Sequence, residues 1–190
     1  ASCLAISDET LATHGNLNNE IGVPLMLLRM SKRHRYAVIE MGANHTGEIG
    51  YLASLSYPKI VAITNAAPAH LEGFGSVEGV AKAKGEILQG SKRPEFSVLN
   101  ADDDYFTFWK SLADDTTIIS FGLSADADVR ASHIMPTKGG SEFTLDMSGI
   151  RFVVKLHLAG KHNVLNACAA AAIANSLAIP PDQIKRGLEA

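Results

Sequence analysis

The chain has 190 residues, 46% of them hydrophobic and 19% charged, with a formal net charge of −3 at pH 7, a balance that is typical of a globular domain. The slight acidic excess argues against nucleic-acid binding. The two cysteines form no CxxC pair, which argues against a disulfide scaffold or a zinc ribbon. No apolar stretch reaches the roughly 18 residues of a membrane span. We therefore expect a cytoplasmic protein that binds neither nucleic acid nor a membrane.

Apolar, β-branched runs alternate with segments of helical pattern through the first two thirds of the chain. The runs predict strands at residues 36–41, 59–64, 96–99 and 116–121. Helices are predicted at residues 24–31, 46–56, 76–89 and 104–113. Strands that are apolar on both faces are typical of parallel sheets covered by helices on both sides. The pattern therefore predicts an α/β fold with a doubly wound, mostly parallel sheet.

The pattern changes at about residue 128. Three short strands are predicted at residues 128–135, 142–147 and 151–158. Apolar and polar residues alternate within them, which is typical of antiparallel strands with one face exposed to solvent. An alanine-rich helix is predicted at about residues 163–177, and Pro181 begins a final helix. We expect residues 1–190 to form a single domain with a small antiparallel β appendage at about residues 128–158.

Two polar residues follow predicted strands of the sheet. Glu40 comes at the end of the first apolar run, and His70 lies in a loop after the second. Ligands of open α/β sheets bind at the carboxyl ends of the strands, and a carboxylate there suits a hard cation such as Mg²⁺. A surface glutamate and a hydrogen-bonding loop histidine are the alternative interpretations.

Asparagines are concentrated at two places. Asn16, Asn18 and Asn19 lie in one short loop, which could bind a sugar or a nucleotide or could be a turn whose asparagines bond their own backbone. Asn163 and Asn166 lie three residues apart at the start of the alanine-rich helix. They could contact a purine or a ribose, or they could cap the helix.

Two lysines lie on the predicted helix at residues 76–89. Because Lys82 and Lys84 are two residues apart, they face different directions, and only one of them can point at the cleft at the strand ends. The alternative is that both are solvated, as lysines on helices ordinarily are.

In combination, these segments resemble the Mur ligase family. The resemblance rests on the strings THGNLNNEIGVP, EMGAN, AHLEGFGS, AKAKGEI and GKHN, which begin at residues 13, 40, 69, 81 and 160. It covers essentially the whole chain and implies the central, ATP-binding domain of a three-domain enzyme. Two strings, GNLNNEIGVP and AHLEGFGS, imply a ligase that adds D-alanyl-D-alanine to UDP-N-acetylmuramoyl-tripeptide in peptidoglycan synthesis.

The resemblance also implies a reaction and its cofactors. In the family, ATP phosphorylates the carboxylate of the nucleotide-linked peptide, and the amine of the second substrate attacks the acyl phosphate. Two Mg²⁺ ions offset the negative charge. The resemblance implies that Glu40 and His70 are Mg²⁺ ligands, and that Lys84 rather than Lys82 is carbamylated and supplies a further anionic oxygen. Lys84 and His70 are thus the candidate catalytic residues.

The remaining candidates are binding residues. The resemblance implies that Asn163, with Asn166, contacts the adenosine of ATP. Contacts to the muramoyl-peptide are implied for Asn16, Asn18, Asn19 and Asn65. Two other functions remain open: another amide ligase of the same fold, similar to a folylpolyglutamate synthase, and a non-catalytic binding domain that has lost its phosphate-binding loop.

The two ends of the sequence interrupt helical patterns. Ala1 reads as the middle of a helix, Ala190 leaves a helix unfinished, and no GxxxxGK[ST] phosphate-binding loop occurs between them. We therefore expect a fragment of a larger protein that is inactive by itself. In the family, the strand that leads into this loop lies inside the sheet, so we also expect an exposed sheet edge through which the fragment self-associates.

Overall fold

A computed structural model of the chain describes residues 1–68, 71–90 and 92–190. Two sheets are present among these residues. The first pairs β1 (Thr10–Ala12) in parallel with β2 (Tyr36–Val38). The second runs in chain order through β3 (Ile60–Ile63), β4 (Phe96–Asn100), β5 (Thr117–Gly122), β6 (Val129–Thr137), β7 (Gly140–Met147) and β8 (Ile150–Leu156).

The helices connect and cover the strands. They are α1 (Ser2–Ala5), α2 (Gly22–Leu28), α3 (Glu48–Ser56), α4 (Leu71–Phe74), α5 (Val77–Gly85), α6 (Phe106–Leu112), α7 (Lys161–Ser176) and α8 (Pro181–Leu188), with a 3₁₀ turn (Glu86–Leu88) directly after α5. Ser76 caps α5, since its hydroxyl accepts the Gly79 N–H at 3.1 Å. None of the helices in the described ranges is long and apolar enough to cross a membrane.

The side chains of β3 alternate between two apolar cores. Val61 and Ile63 pack with α5 and α6 around the fully buried Trp109, whereas Ile60 and Ala62 pack on the opposite face against the core that includes α7. Alternate residues of a strand point to opposite faces, so this arrangement places helices on both sides of the sheet. The predicted doubly wound, mostly parallel α/β fold is confirmed.

The alanines of α7 are the reason why this helix packs closely on the sheet. Ala171, Ala172 and Ala174 have 0% exposure, and the helix contacts β4, β5 and β6. Alanine is the best helix former and carries no bulky side chain, so a helix rich in it is stable and can lie near the strands. The predicted helix at about residues 163–177 agrees with α7 to within two residues at each end.

The three strands predicted as an antiparallel unit extend the main sheet. β6 pairs in parallel with β5 through Phe121↔Val129 and Gly122↔Arg130, and β7 and β8 continue antiparallel. Two features were not predicted. Strand β1 is only three residues long, too short for a periodic signal, and β1 and β2 form a sheet of their own in place of joining β3.

Candidate functional site

A groove opens between the two sheets. Its cavity volume is about 950 Å³, and its walls include residues 35–41 around β2 and residues 56–64 around β3. Within the described part of the chain, β2 pairs only with β1 and β3 only with β4, so both strands have an unpaired edge. Glu40, Thr64 and Lys84 all line this groove. Because Glu40 and Thr64 follow their strands, they mark the end of the groove at the carboxyl ends of β2 and β3.

Glu40 is held in place by two polar side chains. Its backbone N–H donates to the hydroxyl of Thr13 at 2.8 Å, and Asn18 Nδ2 donates to its carboxylate Oε1 at 2.7 Å. The Asn18 carbonyl in turn accepts the Gly42 N–H at 2.7 Å. A Cβ at Gly42 would lie 3.0 Å from Asn18 Nδ2, so glycine gives Asn18 the room to reach the carboxylate. The predicted substrate residue Asn18 thus orients the predicted metal ligand Glu40.

Lys84 and Lys82 have different surroundings, although they are two residues apart on α5. Lys84 is half-buried, and its Nζ donates to the carbonyl of Asn65 at 2.7 Å. Burial lowers the pKa of Lys84, and the nearby Asp103 carboxylate offsets part of this effect. Lys82 is exposed and forms an ion pair with Glu78 at 2.7 Å. Lys84, and not Lys82, therefore lines the groove.

Asn19 and Asn16, two of the predicted asparagines in the loop before α2, have different surroundings. Asn19 Oδ1 accepts the N–H groups of Ile21 at 3.2 Å and Gly22 at 2.8 Å, which satisfies donors at the start of α2. Asn16 is exposed. For Asn19, the structure shows the contacts of the turn interpretation.

The asparagines of α7 lie outside the groove. Asn163 Nδ2 donates to the Ala159 carbonyl at 2.8 Å, and Asn166 is exposed. Neither residue is among those that line the groove. The structure thus places Glu40 and Lys84 in the groove wall, with Asn18 bonded to Glu40 and the Asn65 carbonyl bonded to Lys84. The two α7 asparagines lie elsewhere.

His70, the other predicted metal ligand, lies outside the described residues. Among residues 1–68, 71–90 and 92–190, no three or more His, Cys, Asp or Glu side chains lie close enough together to hold a metal ion. The Glu40 carboxylate is an oxygen donor of the kind that Mg²⁺ prefers, and it is already oriented by Asn18.

Asn100 and Asp103 contact the loop that Lys84 bonds, and neither was predicted from the sequence. Asn100 is the last residue of β4 and Asp103 follows that strand, and both hydrogen-bond the backbone on either side of Asn65. A signal was present, because the string NADD directly follows a buried apolar run. It is the same signal that singled out Glu40.

Comparisons with known proteins show the family of the chain. A family model described as the Mur ligase middle domain matches residues 1–174. The UDP-N-acetylmuramoyl-tripeptide–D-alanyl-D-alanine ligase of Escherichia coli (strain K12) is 46% identical over 189 residues, which cover 99% of this chain and 42% of that protein.

Two solved structures are similar to the whole chain. MurF from Acinetobacter baumannii has a TM-score of 0.94 and 39% identity, over 99% of this chain and 41% of that one. MurF ligase from Thermotoga maritima in complex with ADP has a TM-score of 0.83 and 24% identity, over 97% of this chain and 43% of that one; at this identity the likeness shows the fold alone. The chain thus spans about two fifths of the length of the relatives that it matches.

Proposed function

Since this chain belongs to the Mur ligase family, whose middle domain it matches, we propose that it forms the ATP-binding part of a ligase that joins D-alanyl-D-alanine to UDP-N-acetylmuramoyl-tripeptide. The observation that carries the proposal is that Glu40 and Lys84, from opposite walls, both line the groove between the two sheets. The 46% identity to a ligase of that name supports the choice of substrates. We also propose that the ligase acts in the cytoplasm, where ATP is available.

The reaction that we propose has two steps. An oxygen of the peptide carboxylate attacks the γ-phosphorus of ATP, and ADP leaves. The amine of D-alanyl-D-alanine then attacks the acyl carbon, and inorganic phosphate leaves. Both steps develop negative charge, and bound Mg²⁺ would supply preplaced positive charge against it.

Glu40 and His70 are the side chains that we propose as Mg²⁺ ligands. Glu40 suits this role because Asn18 donates a hydrogen bond to one carboxylate oxygen and so orients the group. Hydrogen bonds of this kind to a ligating group are a general feature of metal sites.

Lys84 is the residue that we propose to be carbamylated. A neutral lysine amine adds to CO₂, releases a proton and becomes an anionic carbamate, whose oxygens suit Mg²⁺. The burial that lowers the Lys84 pKa enlarges the neutral fraction of the amine. Lys82 lacks this environment, since it is exposed and paired with Glu78.

The remaining assignments concern binding. We propose that Asn163 and Asn166, in the first two turns of α7, contact the adenosine of ATP. Contacts to the muramoyl-peptide are proposed for the loop that carries Asn16, Asn18 and Asn19, and for Asn65.

A substrate panel tests the proposal. The full-length ligase that contains this chain is incubated with ATP, Mg²⁺ and UDP-N-acetylmuramoyl-tripeptide, and phosphate release and product mass are measured with D-alanyl-D-alanine, D-alanine or L-glutamate as the amine. We expect turnover with D-alanyl-D-alanine alone. In a separate incubation that contains a folate in place of the muramoyl-peptide, turnover with L-glutamate would indicate a folylpolyglutamate synthase-like ligase. Binding of ATP without turnover of any substrate would indicate a non-catalytic domain.

We further propose that residues 1–190 self-associate through the groove, with a second copy as the occupant. The unpaired edges of β2 and β3 present N–H and C=O groups along the groove walls, and such edges recruit other strands. The β2 residue Ala37 is exposed in the groove wall. A strand from a second copy would cover it and pair with the free edges.

A further inference from the structure

The segment Asn100–Asp103 begins at the last residue of β4, the strand next to β3, and bonds the loop after β3 at two points. Asn100 Nδ2 donates to the carbonyl of Thr64 at 2.7 Å, and Asp103 Oδ2 accepts the N–H of Ala66 at 2.8 Å. Asn100 is 4% exposed although it is polar. Buried polar side chains are retained where their hydrogen bonds are satisfied, and here the partner is the loop backbone.

The residue between these two points is Asn65, whose carbonyl accepts the hydrogen bond from Lys84. The direction of this carbonyl depends on the backbone of Thr64 and Ala66. Fixing the Thr64 carbonyl and the Ala66 N–H therefore fixes the acceptor that Lys84 uses. Asp103 is in addition the carboxylate close enough to act on the charge of Lys84.

Internal hydrogen bonds hold the segment itself. Asn100 Oδ1 accepts the Asp102 N–H at 3.0 Å, and Asp103 Oδ1 accepts the Tyr105 N–H at 2.9 Å. Both side chains thus use their second polar atom to fix their own loop. Because its own backbone is held in this way, the segment can hold the backbone of residues 64–66 in a defined position.

Asp102 bonds the loop after β5, the strand on the other side of β4 from β3. Its carboxylate accepts the N–H groups of Leu123 at 2.6 Å and Ser124 at 3.0 Å, in the loop after β5. A Cβ at Gly122 would lie 2.9 Å from the Asp102 carboxyl carbon, so glycine admits the carboxylate. Asp102 and Asp103 each bond two backbone N–H groups, but only Asp103 bonds the loop that Lys84 contacts.

We propose that Asn100 and Asp103 are positioning residues that orient Lys84 through the backbone of residues 64–66. This inference rests on the proposed ligase function of the groove. A purely structural role would make Asp102 and Asp103 equivalent, because each carboxylate accepts two backbone N–H groups and bonds a neighbouring loop. If Asp103 positions Lys84, replacing Asp103 should lower kcat, whereas replacing Asp102 should not.

The test compares Asp103→Asn, Asn100→Ala and the matched control Asp102→Asn in the full-length ligase. We expect Asp103→Asn and Asn100→Ala to lower kcat by about 10- to 100-fold, the loss typical of a small misplacement, with KM for each substrate nearly unchanged. Asp102→Asn should keep the wild-type kcat. Hydrogen exchange should rise in peptides spanning residues 62–68 for the first two variants, and in peptides spanning residues 120–126 for the control.

Agreement between Asp103→Asn and Asn100→Ala would support positioning rather than a direct charge effect, since only the first removes a charge. If Asp103→Asn does not fold, Asn100→Ala decides. Wild-type kcat in the folded variants, or equal losses in Asp102→Asn, would overturn the inference and leave the ligase function standing. An inactive wild-type enzyme would overturn the proposed function and this inference with it.

Discussion

The two lysines of α5 give the sharpest test of the proposed chemistry, because they share a helix and differ in where they point. Lys84 lines the groove and donates to the Asn65 carbonyl at 2.7 Å. Lys82 is exposed and paired with Glu78. Changing each lysine to alanine removes the same atoms from the same helix, so effects on helix propensity cancel in the comparison.

The expected magnitude follows from these positions. If Lys84 helps to hold the charge that stabilises the transition state, Lys84→Ala should lower kcat by about 10²- to 10³-fold, which corresponds to roughly 2.7–4 kcal/mol. Lys82→Ala removes only an exposed ion pair, and such pairs contribute little. It should therefore keep the wild-type kcat and melting temperature.

The assay is phosphate release by the full-length ligase with all three substrates, with kcat and each KM determined separately. Short-chain carboxylic acids should restore part of the activity of Lys84→Ala if a carbamate is the working group, because they supply the missing anionic oxygens. They should not change the rate of Lys82→Ala. Wild-type kcat for Lys84→Ala, or loss of activity in Lys82→Ala alone, would refute the assignment.

Two further predictions concern single contacts, and a third concerns the unpaired strand edges of the groove. Asn18→Ala removes the hydrogen bond that orients Glu40 and should raise the Mg²⁺ concentration for half-maximal rate by about 10-fold; an unchanged Mg²⁺ titration would contradict this. Glu86→Ala removes the carboxylate that accepts the Gly47 and Gly50 N–H groups at the start of α3, which should cost about 1 kcal/mol and lower the melting temperature by roughly 2–4 °C. Residues 1–190 should form dimers in light scattering that Ala37→Lys abolishes, since a charge on a strand edge opposes pairing; a wild-type monomer at every concentration would count against the groove as an interface.

The main sheet could be predicted from the sequence because its signals are local. The strand predicted at residues 59–64 is observed as Ile60–Ile63, since a continuous apolar run between turn signals has few other stable positions. The end of β2 was less predictable. After Val38 the backbone leaves the ladder, and the Glu40 N–H bonds the side chain of Thr13. That partner is 27 residues away in sequence, so no local pattern indicates it.

The residues of the candidate site also differ in whether the sequence could predict them. Glu40 and Lys84 could be singled out because a polar residue after a strand, and a lysine on the following helix, are visible in sequence. The choice between Lys84 and Lys82 needed the resemblance, because spacing on a helix shows that they diverge but not which one faces inward. Asn100 and Asp103 act on backbone atoms of another loop, and a sequence does not show where those atoms lie.

The groove also determines how the two halves of the site relate to each other. Glu40 is carried by the sheet of β1 and β2, whereas Lys84 is carried by α5, which packs on the sheet of β3 to β8. In the described residues no strand pairing joins the two sheets. The spacing between the Glu40 carboxylate and Lys84 therefore depends on the width of the groove. A strand bound in the groove would pair with both β2 and β3, set that width at two strand spacings of about 4.8 Å each, and so fix the two groups relative to each other.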